Sequence, residues 1–437
     1  MEDSLLYRIR NRIWAIVKFR RAKLAHDRLY LVPLGLAILL ALFAVVAQPN
    51  LSLLTGFWKI QLSETGLITD PMVVGGVGAT MLNASLVLLV STYMVWRMGL
   101  PCTGITLACL SMMAGFSMLG KNLLNIAPII FGGWLYSRYK YERFSRYIYL
   151  TLFGTCLAPM VSFLLNRLPH PWQWISMVLM GILIGFLIPA VAGYTSRVHQ
   201  GYNLYNVGFA AGFVGLGLAS ILKGFGIEFV TESTWSTEGH EILSVFTGYA
   251  LTILLFAGMI RGCQDRATYK KVLRHSGRAV ADFVIMDGSA ITLVNMALTG
   301  FIGFFYLLAL YPAGVRFNGP LVCCILSIAG FAAFGKHPKN VTPVMLGAIL
   351  AAVALVKVPI TAPSVLLATL LSTGLAPIAG QYGWIWGVVA GFVHMAIVQN
   401  TSILHGGMNL YNNGFAAGLV CVLLVPIIDA LKPETED

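Results

Sequence analysis

The polar side chains able to bind or relay something in this 437-residue chain come in matched pairs. HQGYNLYNVGFAAG, from His199 to Gly212, returns as HGGMNLYNNGFAAG, from His405 to Gly418, identical at eleven of fourteen positions. GKNLLNIAPIIFG from Gly120 returns as GKHPKNVTPVMLG from Gly335, a shared GKxxxNxxPxxxG, and Asn83 in MLNASL is matched by Asn295 in LVNMAL. Carboxamides and phenols hydrogen-bond a neutral polar solute or a small anion without needing a charge of their own. Asn203, Tyr205 and Asn206, with Asn409, Tyr411 and Asn412, are therefore the first candidates for a solute site, the asparagines binding and the tyrosines forming walls. The same residues also suit helix packing, where small and polar side chains let backbones approach and bond.

A second rank of candidates surrounds them. Lys121 and Lys336 either attract anions at a vestibule or snorkel to the head-group layer. Asn125 and Asn340 precede Pro128 and Pro343 by about a turn, and a proline there breaks or kinks a helix, as re-entrant hairpins require. Asn83 and Asn295 fall mid-segment, where an asparagine bonds across to another helix. His199 and His405 open the long motif as pH gates or proton relays, or as caps at segment ends.

Catalytic and metal chemistry have no visible constellation. The chain carries no phosphate-binding loop, HExxH or GxSxG, and no cofactor is expected. Its seven cysteines, Cys102, Cys109, Cys156, Cys263, Cys323, Cys324 and Cys421, are scattered without CxxC spacing and read as small packing residues. Apart from Asp287 at the start of one segment, acids are almost missing from the apolar runs, which argues against a proton- or sodium-driven symporter.

The elements that position these residues are membrane helices. The chain is 58% hydrophobic and 11% charged, with a mean hydropathy of +0.80, and apolar runs recur at the length that crosses about 30 Å of hydrocarbon. Fourteen segments are expected near 30–49, 73–96, 102–119, 122–137, 147–165, 173–194, 205–222, 242–259, 287–312, 319–335, 341–356, 359–379, 383–400 and 411–431. The fold class is thus an all-α integral membrane protein with about 14 hydrophobic segments in two repeats, some segments being re-entrant half-helices. The chain divides into a basic extension 1–29, repeat one over 30–222, an acidic loop 223–241, repeat two over 242–431 with a basic loop 260–286, and a tail 432–437.

Charge sets the expected orientation. The net +12 is clustered beside apolar runs, as the positive-inside rule demands, so nucleic acid is not expected as a partner. The basic N-terminus precedes the first run of repeat one, whereas Glu228, Glu232, Glu238 and Glu241 precede that of repeat two and Arg261, Arg266, Lys270, Lys271 and Arg274 follow it. The repeats therefore enter from opposite faces, with the N-terminus cytoplasmic in the cell membrane. The basic loop with Arg138, Lys140, Arg143 and Arg146 lies inside, and its counterpart near Lys357 outside.

The signature HxGxNLYNxGFxAG resembles that of an uncharacterised family of bacterial polytopic membrane proteins, a domain of unknown function. Leu204–Gly212 and Leu410–Gly418 also resemble the urea transporters, which have two inverted halves and a tyrosine–asparagine phrase leading into a glycine-rich pore helix. This chain lacks that family's NPxxG. The likeness implies a channel-like solute pathway and homo-oligomers, not urea itself. The functional expectation is a channel or transporter for a small polar solute, neutral and amide-like or a small anion, between two inverted repeats and not an enzyme. A membrane-embedded enzyme on a lipid-linked substrate, and a non-transporting partner or sensor using the basic loop, remain the alternatives.

Overall fold

The computed structural model describes residues 28–66, 69–229, 234–262, 266–355 and 357–431; the arm 1–27, Glu232, Cys263 and the tail 432–437 lie outside these. Repeat one comprises α1 (Leu31–Ala47), α2 (Ser52–Leu62), α3 (Val77–Arg97), α4 (Gly104–Ser117), α5 (Leu123–Tyr139), α6 (Ile148–Gly154), α7 (Ala158–Phe163), α8 (Trp172–Val198) and α9 (Asn206–Gly224). Repeat two follows the same order with α10 (His240–Ile260), α11 (Arg266–Val272), α12 (Ser289–Ala309), α13 (Gly319–Phe331), α14 (Pro338–Ala354), α15 (Pro363–Leu371), α16 (Ala376–Tyr382), α17 (Trp384–Thr401) and α18 (Asn412–Ala430). Each of the fourteen expected segments is helical, the 147–165 and 359–379 segments being interrupted by a 3₁₀ turn. Among the described residues eight helical stretches, Pro363–Tyr382 counted as one, are long and apolar enough to span a bilayer, and α4, α13, α14 and the α6–α7 segment are shorter apolar helices.

Polarity is distributed as a bilayer requires. Ile38 and Leu42 on α1, Leu179 and Leu183 on α8, and Ile253 and Phe256 on α10 are exposed, while Lys121, Lys336, Asn125, Asn340, Asn203, Asn409 and Asn412 are buried. Helix closes every backbone bond within the segment, which is what hydrocarbon demands of any element that crosses it. The protein is a multi-pass membrane protein of two helical repeats. The chain turns by 117° between α1 and α2, so residues 52–62 do not prolong the first span.

Within the repeats the pairing is the same: α1 packs on α3 as α10 does on α12, and α5 packs on α8 as α14 does on α17. Between them, α4 packs on α13 and α9 on α18. These contacts are reciprocal. A Cβ on Gly208 would stand 2.9 Å from the Cα of Gly414, and one on Gly414 would stand 2.9 Å from the Cα of Gly208. A Cβ on Gly115 would stand 3.2 Å from the Cα of Cys323, and one on its counterpart Gly330 would stand 3.4 Å from the Cα of Ala108, the counterpart of Cys323. A pair of surfaces in which each position meets the other's equivalent is the mark of a local two-fold axis, which here runs between the motifs that the sequence repeats.

Two aspartates fasten the repeats together. Asp282 accepts hydrogen bonds from Gly104 N (2.9 Å) and Ile105 N (3.2 Å), and so caps the short helix α4 of the other repeat. Asp70 is its counterpart, bonding Met72 N and Ser236 N and lying where a Cβ on Gly319, at the start of α13, would be 3.3 Å from its Oδ1. A carboxylate at a helix N-terminus satisfies free amides and complements the dipole. Asp282→Asn is accordingly expected to lower stability by about 1–2 kcal/mol, read as an earlier thermal transition in detergent; an unchanged transition would remove the inter-repeat cap from the account.

Candidate functional site

The lysine motif builds a sharp chain reversal. Gly120 (φ 140°) and Gly335 (φ 113°) adopt a left-handed backbone that a side chain would strain, and this lets α4 and α13 stop abruptly and re-form as α5 and α14. Asn125 Nδ2 bonds Gly120 O (3.0 Å) and Asn340 Nδ2 bonds Gly335 O (2.9 Å) across the reversal. Asn83 Nδ2 then bonds Lys121 O (2.8 Å), and Asn295 Nδ2 bonds Lys336 O (2.8 Å). The four asparagines of secondary rank thus hold the backbone that carries the lysines.

Lys121 and Lys336 do not snorkel; both are 0% exposed. Lys336 Nζ donates to Tyr205 Oη and to Thr373 Oγ1 (2.9 Å) and lies 5.3 Å from the Phe331 ring centre. Lys121 Nζ has long contacts to Met113 Sδ (3.6 Å) and Leu152 O (3.4 Å) and lies 4.9 Å from the Phe116 ring centre. Among the described residues neither lysine forms an ion pair with a carboxylate.

The long motif meets itself at the axis. Tyr205 and Tyr411 lie ring to ring with centroids 4.9 Å apart, flanked edge-on by Phe331 and Phe116 respectively. The asparagine side chains make bonds within the protein, Asn409 Nδ2 excepted, which is buried without a partner. Asn206 Oδ1 accepts from Thr195 Oγ1 (2.8 Å) and pairs with His199 Nε2 (2.9 Å), and its Nδ2 donates to Ala192 O (3.1 Å). Asn412 repeats this with Thr401 Oγ1 (2.8 Å) and Val398 O (3.4 Å). Asn203 and Asn409 each accept the amide two residues on, Tyr205 N and Tyr411 N, at 2.9 Å. These bonds fix the turn into α9 and α18 and so aim the tyrosines. His199 Nδ1 accepts from Gly201 N (3.2 Å), and His405 packs against Phe415 with ring centres 5.9 Å apart.

The groups that converge on the axis are therefore the tyrosines and the lysines, with Ser327 bonded to Tyr205 Oη at 2.9 Å and Thr373 beside Lys336. Reading the sequence as a list of motifs missed Ser327, Thr373, Asp70 and Asp282. Two shorter echoes signal three of them: DPMVVGG from Asp70 matches DFVIMDG from Asp282, and TCLAP from Thr155 matches TGLAP from Thr373. Asp287, expected at a segment start, precedes α12 and bonds His275 Nε2 (2.9 Å), with Lys271 Nζ at 3.3 Å.

The family model described as Protein of unknown function (DUF1576) matches residues 49–224 and 264–430. The chain belongs to this family. Its two matched stretches correspond to the two structural repeats, so the axis between Tyr205 and Tyr411 divides the DUF1576 chain into its halves. No curated protein and no solved structure matches it.

Proposed function

We propose that this DUF1576 protein carries a small anion across the cell membrane along the axis between its repeats. The observation that carries the reading is the pair of fully buried lysines, equivalent in the two repeats, that have no carboxylate partner among the described residues. An unpaired ammonium withdrawn from water costs several kcal/mol. Such a group persists in a fold when its cost is offset during function, and an anion arriving between the lysines supplies the missing charge. A phenol at the same place, Tyr411 Oη, is buried without a partner and can donate to an anion's lone pairs. By the positive-inside rule the basic loop 260–286 faces the cytoplasm.

The test is stopped-flow flux in liposomes containing purified protein, with chloride, nitrate, thiocyanate and formate set against urea, acetamide and glycerol. Anion flux is expected, with neutral solutes crossing at the rate of empty liposomes. Amide flux without anion flux would return the site to a neutral solute. Background rates throughout, with folded protein, would remove the transport reading.

A further inference from the structure

The two lysine pockets are equivalent in sequence position but not in chemistry. Around Lys336 two acceptors are in place: Tyr205 Oη and Thr373 Oγ1 accept hydrogen bonds from its Nζ, and Ser327 Oγ bonds the same phenol. The Tyr205 ring reaches this place by lying on Gly374, where a Cβ would be 2.4 Å from ring carbon Cδ2. In repeat one the TxLAP match puts Cys156 where Gly374 stands, and the GKxxxN register puts Met112 where Ser327 stands. The backbone register is the same on both sides, Leu410 N to Cys156 O and Leu204 N to Gly374 O both being 3.1 Å. The side chain of Cys156 therefore occupies the room that Tyr205 uses opposite, and Tyr411 stays off Lys121.

The result is a set of unused donors on one side only. Tyr411 Oη and Asn409 Nδ2 are buried without a hydrogen-bond partner, whereas Tyr205 Oη and Asn203 Nδ2 bond Lys336 and Gly414 O (2.9 Å). Lys121 Nζ has two long contacts, one of them to sulfur, and the Phe116 ring 4.9 Å away. The thiols of Cys109, Cys156 and Cys323 lie within electrostatic reach of both Lys121 and Tyr411 Oη, and Met113 and Phe116 complete the wall. Among the described residues these cysteines do not form part of a metal-holding group.

Resting on the anion reading above, we infer that the anion binds on one side of the axis, between Lys121 Nζ and Tyr411 Oη, and belongs to the large, polarisable monovalent class typified by thiocyanate. Thiols are weak donors, and a thioether and a phenyl ring donate nothing, so this wall cannot replace the shell of a strongly hydrated ion. They do give dispersion contact to a soft one. One ammonium matches one charge. At Lys336 the Tyr205 hydroxyl already stands in the anion's place.

Equilibrium dialysis of radiolabelled thiocyanate against the full chain in detergent tests this without depending on flux. Tyr411→Phe is expected to weaken binding about tenfold, while Tyr205→Phe changes it less than about twofold. Cys109→Ser with Cys156→Ser is expected to shift competition toward chloride. Equal losses in both tyrosine variants, or loss in Tyr205→Phe alone, overturn the one-sided site but leave anion transport standing. Chloride competing as well as thiocyanate overturns the soft class. No thiocyanate binding at all overturns the site. Thiocyanate binding lost in Tyr411→Phe, in protein that shows no flux, supports the site and removes the carrier.

Discussion

A Lys121→Met protein is expected to lose anion flux by about a hundredfold, equivalent to about 2.7 kcal/mol, and yet to melt higher than its parent. The two changes have one cause. Lys121 is fully buried and has only long contacts to a thioether and a carbonyl, so its ammonium contributes little to the resting fold. Methionine keeps the length and the apolar stem, and removing the desolvated amine stabilises by about 1–3 kcal/mol. Lys336→Met should behave differently. It leaves Tyr205 and Thr373 without their shared donor, so little stability is gained, and the flux loss is nearer tenfold because Lys336 acts on the anion only through its field. Flux in proteoliposomes and thermal melting on the same preparations separate these cases. Wild-type flux in Lys121→Met would end the electrostatic account, and low flux with a lowered melting transition would make the lysine a structural residue.

The repeats were legible because each requirement acts locally. Hydrocarbon needs apolar runs, reversals need Gly120 and Gly335, and turns need Asn203 and Asn409, so these residues persist in both copies and show as motifs. What was not legible is direction. Spacing alone gives no sign of which neighbour a carboxamide bonds: Asn206 and Asn412 hold Ala192 O and Val398 O, and Asn203 and Asn409 hold the amides of Tyr205 and Tyr411, with Asn409 Nδ2 left unpartnered. The lysines were expected either at a vestibule or snorkelling, because a short helix ending at Gly120 can end at the surface or in the interior. Asn83 and Asn295 decide it by drawing the lysine carbonyls onto α3 and α12. Asp70 and Asp282 went unseen because they bond far along the chain, Asp282 to Gly104 and Ile105 of repeat one and Asp70 to Ser236 of the connecting loop.

Gly208→Ala is expected to cost about 2–3 kcal/mol, and Gly208→Val to leave little folded protein, although neither adds a polar group. At this position α9 and α18 cross with no side chain between them. A Cβ on Gly208 would stand 2.8 Å from Cγ of Tyr411 and 2.9 Å from the Cα of Gly414. Backbone cannot rotate out of the way as a side chain does, so the helices must separate, and separation pulls Tyr411 from Tyr205 and breaks the Asn203 bond to Gly414 O. Gly414→Ala, facing Gly208 Cα at 2.9 Å, should do the same by the two-fold relation. Gly217 gives the control on the same helix: nothing lies within 4 Å of a Cβ there, so Gly217→Ala removes backbone freedom without a clash and should stabilise by up to about 1 kcal/mol. Size-exclusion profiles and melting transitions of the three alanine variants decide the matter. If Gly208→Ala and Gly414→Ala match Gly217→Ala, the two repeats are not held at this crossing, and the tyrosine pair is not fixed by it.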